Sequence, residues 1–388
     1  MMQQRAAEIL SQLVQIPSVN PLQAGPKAET AGEFALAECL AAHATSLGAS
    51  VVLDEVLPGR PNLYATFHGS SSVTLGIDVH LDTVGVEHMT DPPFDGRQED
   101  GCIYGRGSVD TKATFAVVLA VLEAMRDEGI QLVPTIHLIG TVGEEVGGFP
   151  GAAAFDRWVT AEGIDIDALV VAEPTMCAPV HGHKGALGLD VTVTGVAAHS
   201  SKPHLGVDAI AGAARAVVAL EQELNRLLAS PASTPVGPGT VSTTLIKGGV
   251  ASNIIADSAR FYVGRRVAPG EVPSEVIARL EALIVEAALP ATASVEVSGD
   301  TAFAAFYEEP DSPLVVSLTA LTGHQPETAS FGTNALRYTS STAKQTVIFG
   351  PGSIDVAHQA VEWIAVSQLG EAAEVYRSWF EGKELPVN

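Results

Sequence analysis

Short apolar runs, separated by segments of helical periodicity, constrain the fold of this chain more than any other feature. SVTLGIDV (72–79), TIHLIGT (135–141) and ALVVAE (168–173) each read as a strand, and TFAVVLAVLEAM (114–125) reads as a buried helix. Alternation of this kind is the pattern of an α/β domain: an open, mostly parallel sheet with helices on both faces. The central segment changes character. LGLDVTVTGV (187–196) alternates strictly, as a half-exposed strand does, and a helix follows from about Gly206 to Leu228. After the loop ASPASTPVGPG come the strands TVSTTLIKGG and ARFYVGRRV, a helix from Ser274 to Ala288 and the strand SVEVSG. The order strand, helix, strand, strand, helix, strand predicts a split-βαβ α+β domain inserted at 183–298, with 1–182 and 299–388 forming the first domain.

A length of 388 residues suits two such domains, and a hydrophobic content of 46% supplies a large core. Lys plus Arg number 21 against 45 Asp plus Glu, a net charge of −24, which argues against nucleic acid or an anionic membrane as partner. The opening MMQQRAAEILSQLVQIPSVNP has amphipathic helical periodicity rather than the apolar centre of a secretory signal. Every later apolar run is interrupted by Gly, Pro or charge within the roughly 20 residues a membrane span needs. Cys39, Cys102 and Cys177 show no paired spacing, which fits a reducing compartment, so a cytoplasmic location is expected.

Polar residues recur where the apolar strands end. VHLDTVG supplies His80 and Asp82, TVGEEVGG supplies Glu144 and Glu145, AEPT supplies Glu173, and TVIFGPGSIDVAHQ runs from a strand through a glycine-rich turn to His358. In an open α/β sheet, ligands bind at the carboxyl edge of the strands, so residues far apart in sequence would meet there. Two His, several carboxylates and no Cys suit a catalytic divalent-metal site better than a closed structural one. Taken singly, each has an ordinary explanation. Asp110 in GRGSVDTK can favour the start of the helix that follows, and paired glutamates can be a solvated turn. At period two, His80 and Asp82 point the same way, so the carboxylate could hold the second imidazole nitrogen.

HLDTV, GRGSVDTK, GEEVGG, AEPT, AHSSKPHLGVDAI and GPGSIDVAHQ together, and in this order, resemble the dinuclear zinc family of acetylornithine deacetylase, succinyl-diaminopimelate desuccinylase, aminoacylase and glutamate carboxypeptidase. The resemblance implies two divalent ions, zinc first, with cobalt or manganese also admissible. His80 and Glu173 would hold one, Glu145 and His358 the other, and Asp110 would bridge them, with Asp82 orienting His80 and Glu144 as general base. It further implies a lid and dimerisation role for the inserted domain, and a homodimer in which His199 reaches the partner's active site and stabilises the oxyanion. Asn253 and Arg266 match substrate-contacting lid positions, the register between Arg265 and Arg266 being open, and Gly332 and Thr333 of FGTNAL match a substrate loop. Asn334 stands where many relatives carry Asp, and so does Gly143 before the glutamate pair. The implied reaction is hydrolysis of an N-acyl amino acid. The alternatives are a carboxypeptidase or dipeptidase acting on a short peptide, and a non-catalytic metal- or ligand-binding protein.

Overall fold

The computed structural model describes residues 2–25, 32–146, 148–231 and 234–387. Gly147 of the GEEVGG motif and residues 232 and 233 of the Pro/Ser/Gly loop lie outside them. The chain divides into two units, one of Met1–His181, Glu308–Glu327 and Thr333–Asn388, the other of Gly182–Tyr307 and Thr328–Gly332. The second junction thus falls at Tyr307, beyond the expected 298, and a short return segment joins the second unit.

The centre of the first unit is four parallel strands, Thr135–Thr141, Thr74–His80, Ala168–Val171 and Thr346–Ile348, in that spatial order. A hairpin of Ser50–Leu57 and Arg60–Phe67 extends one side antiparallel, and a strand beginning at Val180 does so on the other. The sheet is therefore parallel at its centre and antiparallel at its flanks. The hairpin follows from its two-residue Pro58-Gly59 connection, which is far too short for a parallel crossover.

Side-chain alternation along the strands divides the packing between the two faces. Ile77, Val79, Ile136 and Leu138 point to one face, where Leu10, Phe115 and Trp379 arrive from the helices Met2–Val14, Lys112–Glu128 and Val366–Phe380. Tyr64, Ile139 and Leu169 point to the other, against Phe155 and Val159 of the helix Pro150–Glu162. Register levels the strand ends: His80 pairs with Thr141, Asp78 with Val171, and Val171 with Ile348. The turns after these strands leave from one edge.

In the second unit the strands Thr240–Gly248, Ser258–Val267, Gly185–Thr194 and Thr292–Val297 form an antiparallel sheet in that order. The helices Ala209–Ala229 and Pro273–Ala288 cover one face, packing Ala213, Leu220, Leu280 and Ile284 on Leu189, Val191, Phe261 and Val263. Asp208 caps the first helix by accepting from the N–H of Ile210 at 2.9 Å and Ala211 at 3.2 Å. Among the described residues, no helix is long and apolar enough to cross a membrane.

Leu220 is 2% exposed on this helix and Val218 is 52% exposed. Leu220→Ala is expected to destabilise the second unit by about 2–5 kcal/mol, and Val218→Ser by under ~0.5 kcal/mol. Urea denaturation of the full chain checks both, and equal losses would contradict this assignment of the helix faces.

Candidate metal centre

The level strand ends bring His80, Asp110, Glu144, Glu145, Glu173 and His358 together. Ligand atoms of His80, Glu144 and Glu173 lie within 4.8 Å of one another, and so do those of His80, Asp110 and Glu145. Asp110 is at the centre. Its Oδ1 is 2.8 Å from His80 Nε2, and its Oδ2 is 3.1 Å from His358 Nε2. His358 Nε2 is also 3.1 Å from Glu145 Oε2. One carboxylate thus shares its two oxygens between two imidazoles, the second of which also meets Glu145.

The electrostatics show how much positive charge the cluster demands. Burial pushes the carboxyl groups of Glu144 and Glu173 well above the usual range, and neighbouring carboxylates push them further. Glu145 is raised for the same reasons, first burial and then Asp110. Burial would raise Asp110 too, but hydrogen bonds from His358 and His80 hold it well below an ordinary carboxyl. Burial opposes charge on His80, yet Asp110 and the surrounding glutamates push it well above the usual imidazole value. Hydrogen bonds to Asp110 and Glu145 raise His358 to about 10. Two imidazoles and four carboxylates, with no thiolate, match the donor chemistry of zinc and also admit cobalt or manganese. The two-sided Asp110 fits a bridging position between two ions.

The neighbouring contacts correct one expectation and explain two departures from the family pattern. The ring of His80 donates from Nδ1 to the main-chain oxygen of Asp82 at 2.8 Å, while the Asp82 carboxylate is 4.0 Å away. That carboxylate instead accepts from the N–H groups of Glu144 at 3.0 Å and Glu145 at 3.1 Å, and from Asn20 Nδ2 at 2.8 Å. Asp82 therefore orients His80 through its backbone and fixes the glutamate turn through its side chain. Gly143 sits at φ +75°, and a Cβ there would lie 2.8 Å from Pro150 Cγ, so the position has no room for an Asp side chain as the chain runs here. The Asn334 amide donates to Asp78 Oδ2 at 3.0 Å and to Thr141 Oγ1 at 2.9 Å. An Asp there would set two carboxylates against each other.

The remaining candidates have separate settings. Thr333 is buried, and its hydroxyl accepts from the N–H of Ala335 at 3.1 Å, so the side chain caps a short turn. Gly332 precedes it in the return segment of the second unit. Also in that unit, His199 lies in a two-stranded ribbon opposite Ile254, and the N–H of Ser200 donates to the carbonyl of Asn253 at 2.9 Å. His199 Nδ1 accepts from the N–H of Ser201 at 3.1 Å and faces its hydroxyl at 2.8 Å, which leaves the proton on Nε2. Arg265 is buried and paired with Glu271 at 2.5 Å, whereas the Arg266 side chain lies on the exposed face of the sheet. Sequence reading overlooked Asp78, Arg106, Asn20 and Glu362 as supports. Only Asp78 carried a signal, a charge inside an apolar strand.

The model of peptidase family M20/M25/M40 matches residues 76–382. An acetylornithine deacetylase of Myxococcus xanthus is 33% identical over 323 residues, 82% of each chain. A probable carboxypeptidase of Aspergillus niger is 32% identical over 398 residues, covering 95% of this chain and 87% of the relative. A solved dinuclear metal binding peptidase from the M20 family, from Bacillus subtilis, superposes with a TM-score of 0.69 at 16% identity, over 98% of this chain and 99% of that one.

The raised groups set the sign of the pH dependence. A His358 raised to about 10 stabilises the metal-free fold fully below its ordinary value of ~6.5, and that contribution is lost as pH rises toward 10. Raised Glu144 and Glu173 act in the same direction, because the unfolded chain gives up their protons first. In the metal-free protein these groups should therefore cost thermal stability between about pH 5 and 10, opposed at the acid end by His137 and His183, which burial lowers to about 4, and above pH 7 by Lys112, which burial lowers to about 7. Zinc needs neutral imidazoles, so its binding near pH 7 should release protons and tighten as pH rises. Calorimetric titration in buffers of different ionisation enthalpy measures the release, and zero release would contradict this charge state.

Proposed function

Because this chain belongs to peptidase family M20/M25/M40 and is accordingly a hydrolytic enzyme, we propose that it hydrolyses the amide bond of an N-acyl amino acid, releasing a carboxylic acid and a free α-amino acid. The observation that carries this reading is Asp110 shared between His80 and His358, with Glu145 and Glu173 beside them and Glu144 left over. His80 and Glu173 would hold one divalent ion and His358 and Glu145 the other, with Asp110 common to both. When bound, two such ions polarise an amide carbonyl and acidify the attacking water.

Glu144 does the proton work in this proposal. Water oxygen bonds to the carbonyl carbon, Glu144 takes the water's proton, and the proton passes to the amide nitrogen as its bond to carbon breaks. Two features suit Glu144 to this. Its turn is held rigid by both oxygens of Asp82, and its environment favours a carboxyl able to carry a proton. Outside the metal centre, we assign the exposed Arg266 to a substrate carboxylate, because its planar fork matches one bidentately while Arg265 is already committed to Glu271. Asn253, Gly332 and Thr333 are assigned to further substrate contacts, the last two through their backbone.

His199 completes the proposal through a homodimer. With Nδ1 engaged by Ser201, its Nε2–H is the donor that an oxyanion in the site of a second copy would need. The edge strand Thr240–Gly248 exposes Leu245 and Ile246, which suits pairing with that copy. The three cysteines are unpaired, consistent with a cytoplasmic setting. The second reading, a carboxypeptidase or dipeptidase, uses the same groups on a peptide amide and is favoured by the Aspergillus niger relative.

Glu144→Gln should lower kcat by ~10²–10⁴-fold while zinc content stays at that of the unaltered protein. Turnover by zinc- or cobalt-loaded enzyme is to be compared on acetylornithine, other N-acyl amino acids and dipeptides. Activity on peptides alone would replace the deacylase reading with the second, and full activity of the Gln variant would remove Glu144 from its role.

A further inference from the structure

The metal centre is assembled from loops, and a buried ion pair outside it joins three of them. Arg106 and Glu362 are each 1% exposed. The guanidinium donates from Nη1 to Glu362 Oε2 and from Nη2 to the carbonyls of Gly85 at 3.3 Å and Gln359 at 3.4 Å. The other oxygen of Glu362, Oε1, accepts from the N–H groups of Gly107 at 2.9 Å, Val109 at 3.1 Å and Asp110 at 3.3 Å. Backbone bonds run beside the pair: Gly105 N–H to the Glu362 carbonyl at 3.0 Å, Arg106 N–H to that of Pro93 at 2.7 Å, and Thr90 N–H to that of Ala360 at 3.0 Å.

The segments so joined are 85–93, 105–110 and 358–362. Two of them carry proposed metal ligands, and Glu362 touches the main-chain nitrogen of Asp110 itself. His358, at the head of the third segment, has φ +60°, which a non-glycine residue keeps only when its surroundings hold it. Its carbonyl accepts from His88 Nε2 at 2.9 Å, a residue of the first segment.

Stability is a weak reason for such a pair. Taking two charges out of water offsets most of their attraction, and apolar residues of similar volume commonly do as well. Arg106 also leaves its buried Nε without a hydrogen-bond partner, so the guanidinium is not placed to satisfy itself. A planar fork facing a carboxylate does supply fixed geometry at several points, which an apolar pair cannot.

We propose that Arg106 and Glu362 are positioning residues that set the spacing between the Asp110 and His358 ligand loops, and through it the affinity for two divalent ions. The proposal rests on reading the cluster as a divalent-metal centre. Neither residue touches a reacting atom, and their effect passes through the main chain at Asp110 and across 358–362.

The test uses the full chain. Arg106→Lys keeps the charge and removes the fork, whereas Arg106→Met combined with Glu362→Gln removes both charges and keeps an amide oxygen for the three N–H groups. Zinc and cobalt are titrated into each metal-free protein by calorimetry, and the visible absorption of the cobalt forms is recorded. The expected result is a ~10–100-fold loss of affinity for at least one ion, with an altered cobalt spectrum. Two ions bound at unchanged affinity with an unchanged spectrum, even at lowered Tm, would overturn the proposal by leaving the pair a merely structural role. If the unaltered protein bound no divalent ion, the metal-centre reading itself would fail. Should a variant not fold, hydrogen exchange on the metal-free unaltered protein decides: protected amides at Gly107, Val109 and Asp110 support a preset loop, and exchange as fast as in exposed turns overturns it.

Discussion

The structure of the first unit depends on keeping several carboxylates together at one edge of a buried sheet. Glu144, Glu145, Glu173 and Asp110 repel one another, and burial penalises each charge. In the metal-free chain the compensation is visible at Asp110, whose oxygens are divided between two imidazoles held in charged form by the surrounding acid. Positive charge is what this site is built to receive. The raised glutamates measure how much of it the imidazoles alone leave unsupplied.

Crowding of this kind requires loops that cannot relax outward, and the chain holds them with a second set of acids that face away from the centre. Asp82 takes the N–H groups of the glutamate turn, Glu362 takes three N–H groups around Asp110, and Asp78 takes Thr141, Asn334 and Tyr338. Hydrogen bonds to a buried carboxylate are strong and directional, and breaking one strands a costly group. Gly350 serves the same end by absence, because a Cβ there would lie 2.6 Å from the carbonyl oxygen of Glu173. The inner acids crowd the centre, and the outer ones hold the loops that carry them.

Much of the centre was legible because residue type and strand position coincide. His80, Glu144, Glu145 and Glu173 follow apolar runs directly, and strands in one parallel sheet must end at one edge. His358 and Asp110 were harder to read, since a glycine-rich turn and a pre-helical loop lie between them and their strands. The supports were mostly illegible. Arg106 and Glu362 are 256 positions apart, and nothing in RGSVD or VEWIA signals that they meet. Asp82 was recognised as important and given the wrong side-chain partner, because period-two spacing predicts a shared face but cannot tell a carbonyl contact from a carboxylate one. The hairpin at the sheet edge also went unread, since its first strand is half exposed and its second, though buried, opens on Arg60, Pro61 and Asn62 and lacks the apolar density of the central ones.

By itself the sequence determined the α/β plan of the first unit, the split-βαβ order of the second, and the kinds of side chain gathered at the strand ends. Those follow from local hydrophobic period and from the rule that parallel strands share a carboxyl edge. Tertiary structure alone decided the mixed character of the sheet, the choice between Arg265 and Arg266 as the buried partner of Glu271, and which acids face the centre and which brace its loops. The physical reason is common to all three: pattern specifies which side of an element a residue occupies, whereas hydrogen-bond partners are chosen by long-range register and loop closure.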